Sequence, residues 1–156
     1  MIDRVTAAIT TTETLDVRLL HPDAKLPARG RPNDAGYDLS SVEAFTLGPG
    51  ERRLTATGVA VAIPPHVAGL VTPRSGLAAK HGIHPLNSPG LIDPNYRGEI
   101  KVALHNASDT HMEIHVGDRI AQLLLVPFWA PRLEVVEELP PSPDDRGADG
   151  FGSSGR

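Results

Sequence analysis

Asn87-Ser88-Pro89-Gly90-Leu91-Ile92-Asp93-Pro94-Asn95-Tyr96-Arg97-Gly98-Glu99-Ile100-Lys101-Val102 passes from turn formers to a strand within one short run. Pro89-Gly90 and Pro94-Asn95 are turn signals. Beyond them Ile100, Val102 and Leu104 fall on one face, and Lys101, Ala103 and His105 on the other. The pattern predicts a hairpin whose second arm lies against a core. One carboxylate, Asp93, and one phenol, Tyr96, sit in its backbone-rich turn. Such a turn suits a ligand, and it equally suits an ordinary surface connection.

Working outward, the same short alternating runs recur at Leu15 to Leu20, Leu54 to Ile63, Val67 to Val71, Met112 to Val116, Ile120 to Val126 and Leu133 to Val136. Fifteen Gly and fifteen Pro punctuate them, as in Leu47-Gly48-Pro49-Gly50 and Pro64-Pro65. Many short strands with such punctuation predict an all-β sandwich or barrel. The one helical signal is Gly76 to His81, with Ser75 as expected N-cap and Gly82 as its end. His81 and His84 read as loop residues, and Trp129 as a core or subunit-contact residue.

A chain of 156 residues fits one domain. With no Cys it has no disulfide, thiolate metal site or cysteine nucleophile, in keeping with a cytoplasmic location. A formal net charge of -4 speaks against coating a nucleic-acid backbone and leaves a small anionic ligand open. The first residues lack the apolar stretch of a secretory signal, and no segment reads as a membrane span. After Leu139 the composition turns to Pro, Asp, Gly and Ser, as in a tail that orders only against a ligand or partner.

Four further segments carry chemistry. Asn33-Asp34-Ala35-Gly36-Tyr37-Asp38-Leu39 is a turn entering a strand, or carboxylates facing a hydrated magnesium ion. Pro73-Arg74-Ser75-Gly76-Leu77-Ala78 places a guanidinium, a hydroxyl and a glycine amide at a helix start, as a simple cap or as an anion site. Gly117-Asp118-Arg119-Ile120-Ala121-Gln122 is mostly scaffold, with Gln122 the exception. In the tail, Arg146 and Phe151 lie among glycines that permit close backbone approach. His111-Met112-Glu113-Ile114-His115 alternates like a half-exposed strand and is read as one rather than as a metal site. No Walker A lysine motif occurs, nor the Cys pair of zinc deaminases.

Taken in order, Asp34 to Leu39, Pro73 to Ala78, Asn87 to Gly98, Gly117 to Gln122 and Arg146 to Gly155 resemble the five motifs of the trimeric deoxyuridine triphosphatase (dUTPase) family, spanning residues 34–155. The resemblance implies a distorted jelly-roll or β-clip-like barrel subunit in a homotrimer, with the C-terminal arm exchanged over a neighbour's site. Residues 1–14 would be a loose extension, 15–139 the β domain and 140–156 the arm. It further implies hydrolysis of dUTP to dUMP and pyrophosphate with Mg2+, supplying dUMP and limiting uracil in DNA.

By the same resemblance, Asp93 would deprotonate a water attacking the α-phosphorus. Asn87, Gly90, Leu91, Ile92 and Lys101 would surround uracil, and Tyr96 would pack on deoxyribose. Arg74, Ser75, Gly76, Gln122 and Arg146 would hold the phosphates, and Asp34 a magnesium ion through water. Phe151, followed by Gly152 and Ser153, would stack on uracil as the arm closes. Asp149 departs from the Gly usual in that arm. The dCTP deaminases share the fold, but usually have a second Ser where Gly76 stands and a catalytic Glu with no obvious counterpart here.

Overall fold

The computed structural model of the chain describes residues 14–143. Arg146, Asp149, Phe151, Gly152 and Ser153, and residues 1–13 of the expected extension, lie outside the described residues. Within residues 14–143, eleven strands and one helix follow in order: β1 Asp16–Leu19, β2 Gly36–Ser40, β3 Phe45–Leu47, β4 Arg52–Ala56, β5 Val59–Ala62, β6 Val67–Thr72, α1 Ser75–His81, β7 Ile83–Pro85, β8 Gly90–Ile92, β9 Lys101–Asn106, β10 Met112–Ile114 and β11 Arg119–Pro127. The expected mostly-β architecture with one short helix is what the chain adopts.

The strands form a four-stranded sheet in the order β2-β11-β6-β8, a three-stranded sheet β4-β9-β7, and the pairs β1-β5 and β10-β3. Every one of these pairings is antiparallel. Leu39, Leu47, Ile63, Ile83, Ile100, Leu104, Ile114, Ile120 and Leu123 are fully buried between them. Each such side chain stabilises the fold by about 1.5–3 kcal/mol through area removed from water. The alternation in β9 is as anticipated: Val102, Leu104 and Asn106 point inward, Lys101 outward. In β11 a register shift between Arg119 and Ala121 lets Ile120 and Ala121 both be buried. The bulge thereby aims Gln122 and Leu124 away from the core, with Gln122 beside Asp38 and Thr72.

The expected hairpin over residues 87–102 takes a different form. β8 pairs with β6, whereas β9 pairs with β4 and β7, so the two arms belong to different sheets. The segment is instead a long excursion between the antiparallel neighbours β7 and β9, with Leu86 N–H donating to Ala103 O at 2.7 Å. Alternation specifies which face of a strand is buried, not which strand it pairs with.

Other expectations change for local reasons. The run Leu54 to Ile63 is cut at Gly58, which has φ 67°. A Cβ there would lie 2.7 Å from Ala24 Cβ and 2.9 Å from His21 Cβ. The helix begins one residue early: Arg74 is its N-cap without a side-chain cap bond, Ser75 is helical, and Gly82 closes it at φ 68°. His81 therefore lies in the last helical turn, and His84 in β7. Leu133 to Val136 form no strand, and Leu133 and Val135 are 89% and 101% exposed, with nothing among the described residues covering them. Trp129, 77% exposed, is not a core residue of the single chain. No helix among the described residues is long and apolar enough to cross a membrane.

Two substitutions test this packing in opposite directions. Thr55 is completely buried, and its Oγ1 has no hydrogen-bond partner among the described residues. Thr55→Val removes that hydroxyl at constant shape and is expected to add about 1 kcal/mol of stability. Gly58→Ala is expected to cost roughly 2–4 kcal/mol from left-handed strain and overpacking. Urea denaturation of the two variants should move the midpoint up and down respectively; a Gly58→Ala midpoint at the parental value would contradict the steric reading.

Candidate active site

The candidate residues gather in two cavities rather than one. The first, about 600 Å3, is bordered by Asn87, Gly90, Leu91, Ile92, Asp93, Tyr96 and Lys101, together with Leu54, Val71, Glu99 and Val102. All the expected base, sugar and water-activating residues of the 87–102 segment are therefore around one space. β8 is the end strand of its sheet, so one edge of Gly90–Ile92 is engaged by β6 and the other carries backbone groups available to a planar ligand.

The turn that presents Asp93 is held by its own hydrogen bonds. Tyr96 N–H donates to Asp93 O at 3.0 Å. Arg97 Nη1 donates to the carbonyls of Pro94 at 2.7 Å and Tyr96 at 2.9 Å. Tyr96 Oη donates to Glu99 O at 2.9 Å, which lays the ring over Gly98. A Cβ on Gly98 would sit 2.5 Å from the phenol oxygen, so only glycine permits this ring position. Asp93 itself is exposed. Glu99 accepts Gly58 N–H at 2.8 Å and lies 3.6 Å from Lys101 Nζ, so Lys101 meets a carboxylate on the wall of the cavity.

The second cavity, about 480 Å3, brings together the expected Asp34, Arg74, Ser75, Gly76 and Gln122. It also contains Asp38, Gly36 and Arg119. Asp38 is, with Asp34, one of the two acids open to a metal in the sequence, and in the structure both of its oxygens face arginines. Arg74 Nε donates to Oδ1 at 2.8 Å and Arg119 Nη1 to Oδ2 at 2.9 Å. Arg74 Nη1 also donates to Arg119 O at 3.2 Å. The carboxylate thus sets the direction of the Arg74 fork, leaving its other N–H groups for an anion. The sequence does not single out Arg119, because its segment reads as turn plus scaffold. In the structure Arg119 pairs with Ser40 and Ala121 with Leu39, and the bulge between these rows brings Arg119 to Asp38. Linear spacing carries no sign of that meeting.

Gln122 Nε2 donates to Pro73 O at 2.9 Å, tying β11 to the start of α1. A Cβ on Gly36 would collide with the Gln122 amide, so this glycine makes room for the side chain. Asp34 is exposed, and its Oδ2 accepts Arg31 N–H at 2.9 Å. No cluster of three His, Cys, Asp or Glu suited to a metal occurs among the described residues. What the cavity offers is the hard carboxylate oxygen of Asp34 beside the Arg74 and Arg119 guanidiniums and the Ser75 hydroxyl, a donor set that fits a hydrated cation accompanied by an anion.

The two cavities share no bordering residue. Val71 borders the first and Thr72 the second, and the pleat of β6 directs successive side chains to opposite faces.

Comparison with known proteins agrees with these features. The dUTPase family model matches residues 22–155. The chain is 48% identical over 146 residues to the deoxyuridine 5'-triphosphate nucleotidohydrolase of Leifsonia xyli subsp. xyli, covering 92% of this chain and 93% of that one. It is 50% identical over 146 residues to the enzyme of the same name from Mycolicibacterium gilvum, covering 91% and 95%. Among solved structures, the dUTPase of Staphylococcus bacteriophage 80alpha with dUPNHPP superposes with a TM-score of 0.85 at 37% identity, covering 93% of this chain and 100% of that one. A variant dUTPase from phage phi11 of S. aureus, described for its coordination of a structural Mg(II) ion, has a TM-score of 0.76 at 34% identity, with coverages of 81% and 99%. The chain belongs to the dUTPase family.

Proposed function

We infer that the chain hydrolyses dUTP to dUMP and pyrophosphate. The observation that carries this reading within the molecule is the first cavity, where Asp93 shares one space with the β8 edge and Tyr96. Uracil would be read by the backbone of Gly90, Leu91 and Ile92 and by Asn87, with Lys101 nearby. Fixed backbone donors and acceptors disfavour cytosine, because a mismatched buried polar group costs about 1–3 kcal/mol. The Tyr96 ring, held over Gly98, would pack on deoxyribose and leave no room for a 2′-hydroxyl.

In the reaction, Asp93 accepts a proton from water as the water oxygen bonds to the α-phosphorus. The bond from that phosphorus to the bridging oxygen breaks, and pyrophosphate leaves. Arg74, Ser75, Gly76 and Gln122 hold the phosphate oxygens, with Arg74 aimed by Asp38. Mg2+ would supply charge compensation on the triphosphate, and Asp34 would hold it through water. Arg146, Phe151, Gly152 and Ser153 would come from the arm, residues 140–156.

The separation of the two cavities supports an assembly in which a nucleoside held by one copy meets phosphate-binding groups of another. Exposed Leu133, Val135 and Leu139 supply apolar surface for such contacts. The proposed assembly is a homotrimer, with the arm crossing to a neighbour. Light scattering should therefore give three times the chain mass; a monomeric mass with full activity would exclude a site shared between copies.

Asp93→Asn is expected to reduce pyrophosphate release by about 10^2–10^4-fold. Its melting temperature should stay near the parental value, since Asp93 is exposed. Turnover near the parental rate in the folded variant would remove Asp93 from the role of base.

A further inference from the structure

β7 and β9 carry two imidazoles that the hydrolytic reaction does not use. His84 and His105 are register partners, each half-buried. Their ring centroids are 5.3 Å apart at an interplanar angle of 77°. His84 Nε2 lies 3.4 Å from His105 Nδ1. The other nitrogen of His84, Nδ1, lies 3.1 Å from Pro85 O. Only an N–H suits a carbonyl, so neutral His84 carries its lone pair on Nε2, on the side of His105.

The two nitrogens make a long hydrogen bond, at 3.4 Å beyond the roughly 2.7–3.2 Å of a good one. Two nitrogens each about 2.0–2.1 Å from a tetrahedral zinc ion are themselves about 3.3–3.4 Å apart. The spacing therefore matches the bite of a chelate. The Nδ1–H to carbonyl bond on His84 is also the kind of support that orients metal-bound imidazoles.

We propose that His84 and His105 form a cross-strand site for a divalent transition-metal ion of the zinc, nickel or copper class, with water completing its coordination. Imidazole selects these ions over Mg2+, so the site is chemically distinct from the substrate's magnesium. Arg52, the register partner of His105 on β4, opposes the charge of an ion and makes the site a weak one. β7 ends at Pro85 and β9 begins at Lys101, so a bound ion would join the two strands between which the Asp93 segment extends. Its effect is on the stability of that neck rather than on the chemical step.

The test is a titration of the full-length, tag-free protein without nucleotide, using Zn2+ for calorimetry and Ni2+ for NMR of the imidazole resonances. One Zn2+ per chain is expected, unaffected by excess Mg2+. Affinity should fall at least about tenfold in both His84→Gln and His105→Gln. Ni2+ should broaden the His84 and His105 resonances first in the parent protein, a readout independent of whether the variants fold. The exposed imidazole of His115 is the control for non-specific surface binding; Glu113 and Asp118, at 3.8 and 3.5 Å, do not make with it a group suited to a metal. Absence of binding, or binding abolished by His115→Asn and retained in the His84 and His105 variants, would overturn the proposal.

Discussion

The connection Thr57-Gly58-Val59 holds the first cavity to the core. Thr57 Oγ1 donates to Ile100 O at 2.5 Å, Ile100 N–H to Val59 O at 2.7 Å, and Gly58 N–H to a Glu99 oxygen at 2.8 Å. Leu20 N–H donates to Gly58 O at 2.7 Å from a different part of the chain. Thr57 and Ile100 are completely buried, so these polar groups depend on one another in place of water. Removing any one partner leaves another unpaired in a dry setting, which makes the set cooperative. The foot of the Asp93 segment is therefore fixed, although its tip is exposed.

The second cavity is organised by a different force. Asp38, with 18% of its side chain exposed, lies between Arg74 and Arg119. With Asp34 also on its border, the cavity has two carboxylates for two guanidiniums, so what it offers an anion is the unused N–H groups of oriented arginines rather than a net positive charge. Charge alone would leave two long side chains free to wander. Their hydrogen bonds to Asp38, and that of Arg74 to Arg119 O, fix a direction as well as a sign. Gln122 is fixed in turn through Pro73 O and the space left by Gly36. Orientation in advance of binding is what makes such groups effective on developing charge.

The parts legible in the sequence are those governed by local rules. Period-two alternation locates β9, and the left-handed preference of glycine locates the end of α1 at Gly82. The motif residues of the 87–102 segment lie together because they are close in the chain. Pairing is not legible: nothing in residues 87–102 says that β8 joins β6 while β9 joins β4 and β7. Nor does local pattern reveal that Arg119 meets Asp38, a contact across 81 residues made possible by the β11 bulge. Leu133 to Val136 mislead for the opposite reason. They have strand-like composition, but a strand needs a partner, and among the described residues this chain offers none there.

The same exposed segment bears on how the two cavities would work together in the proposed homotrimer. Exposed Leu133, Val135 and Leu139 would each lose solvent-exposed apolar area on contact with another surface. In sequence the segment comes just before the arm, whose residues would supply the proposed phosphate and base contacts. An arm reaching a neighbour needs an anchored root, because ordering each free residue costs about 1–2 kcal/mol. Burial of the apolar segment against another copy would supply that anchor and shorten the length left to order. The same contact would bring the nucleoside cavity of one copy toward the arginines of another. In the proposed homotrimer, the features that look incomplete in one chain, a split site and an uncovered apolar segment, would have a single physical cause.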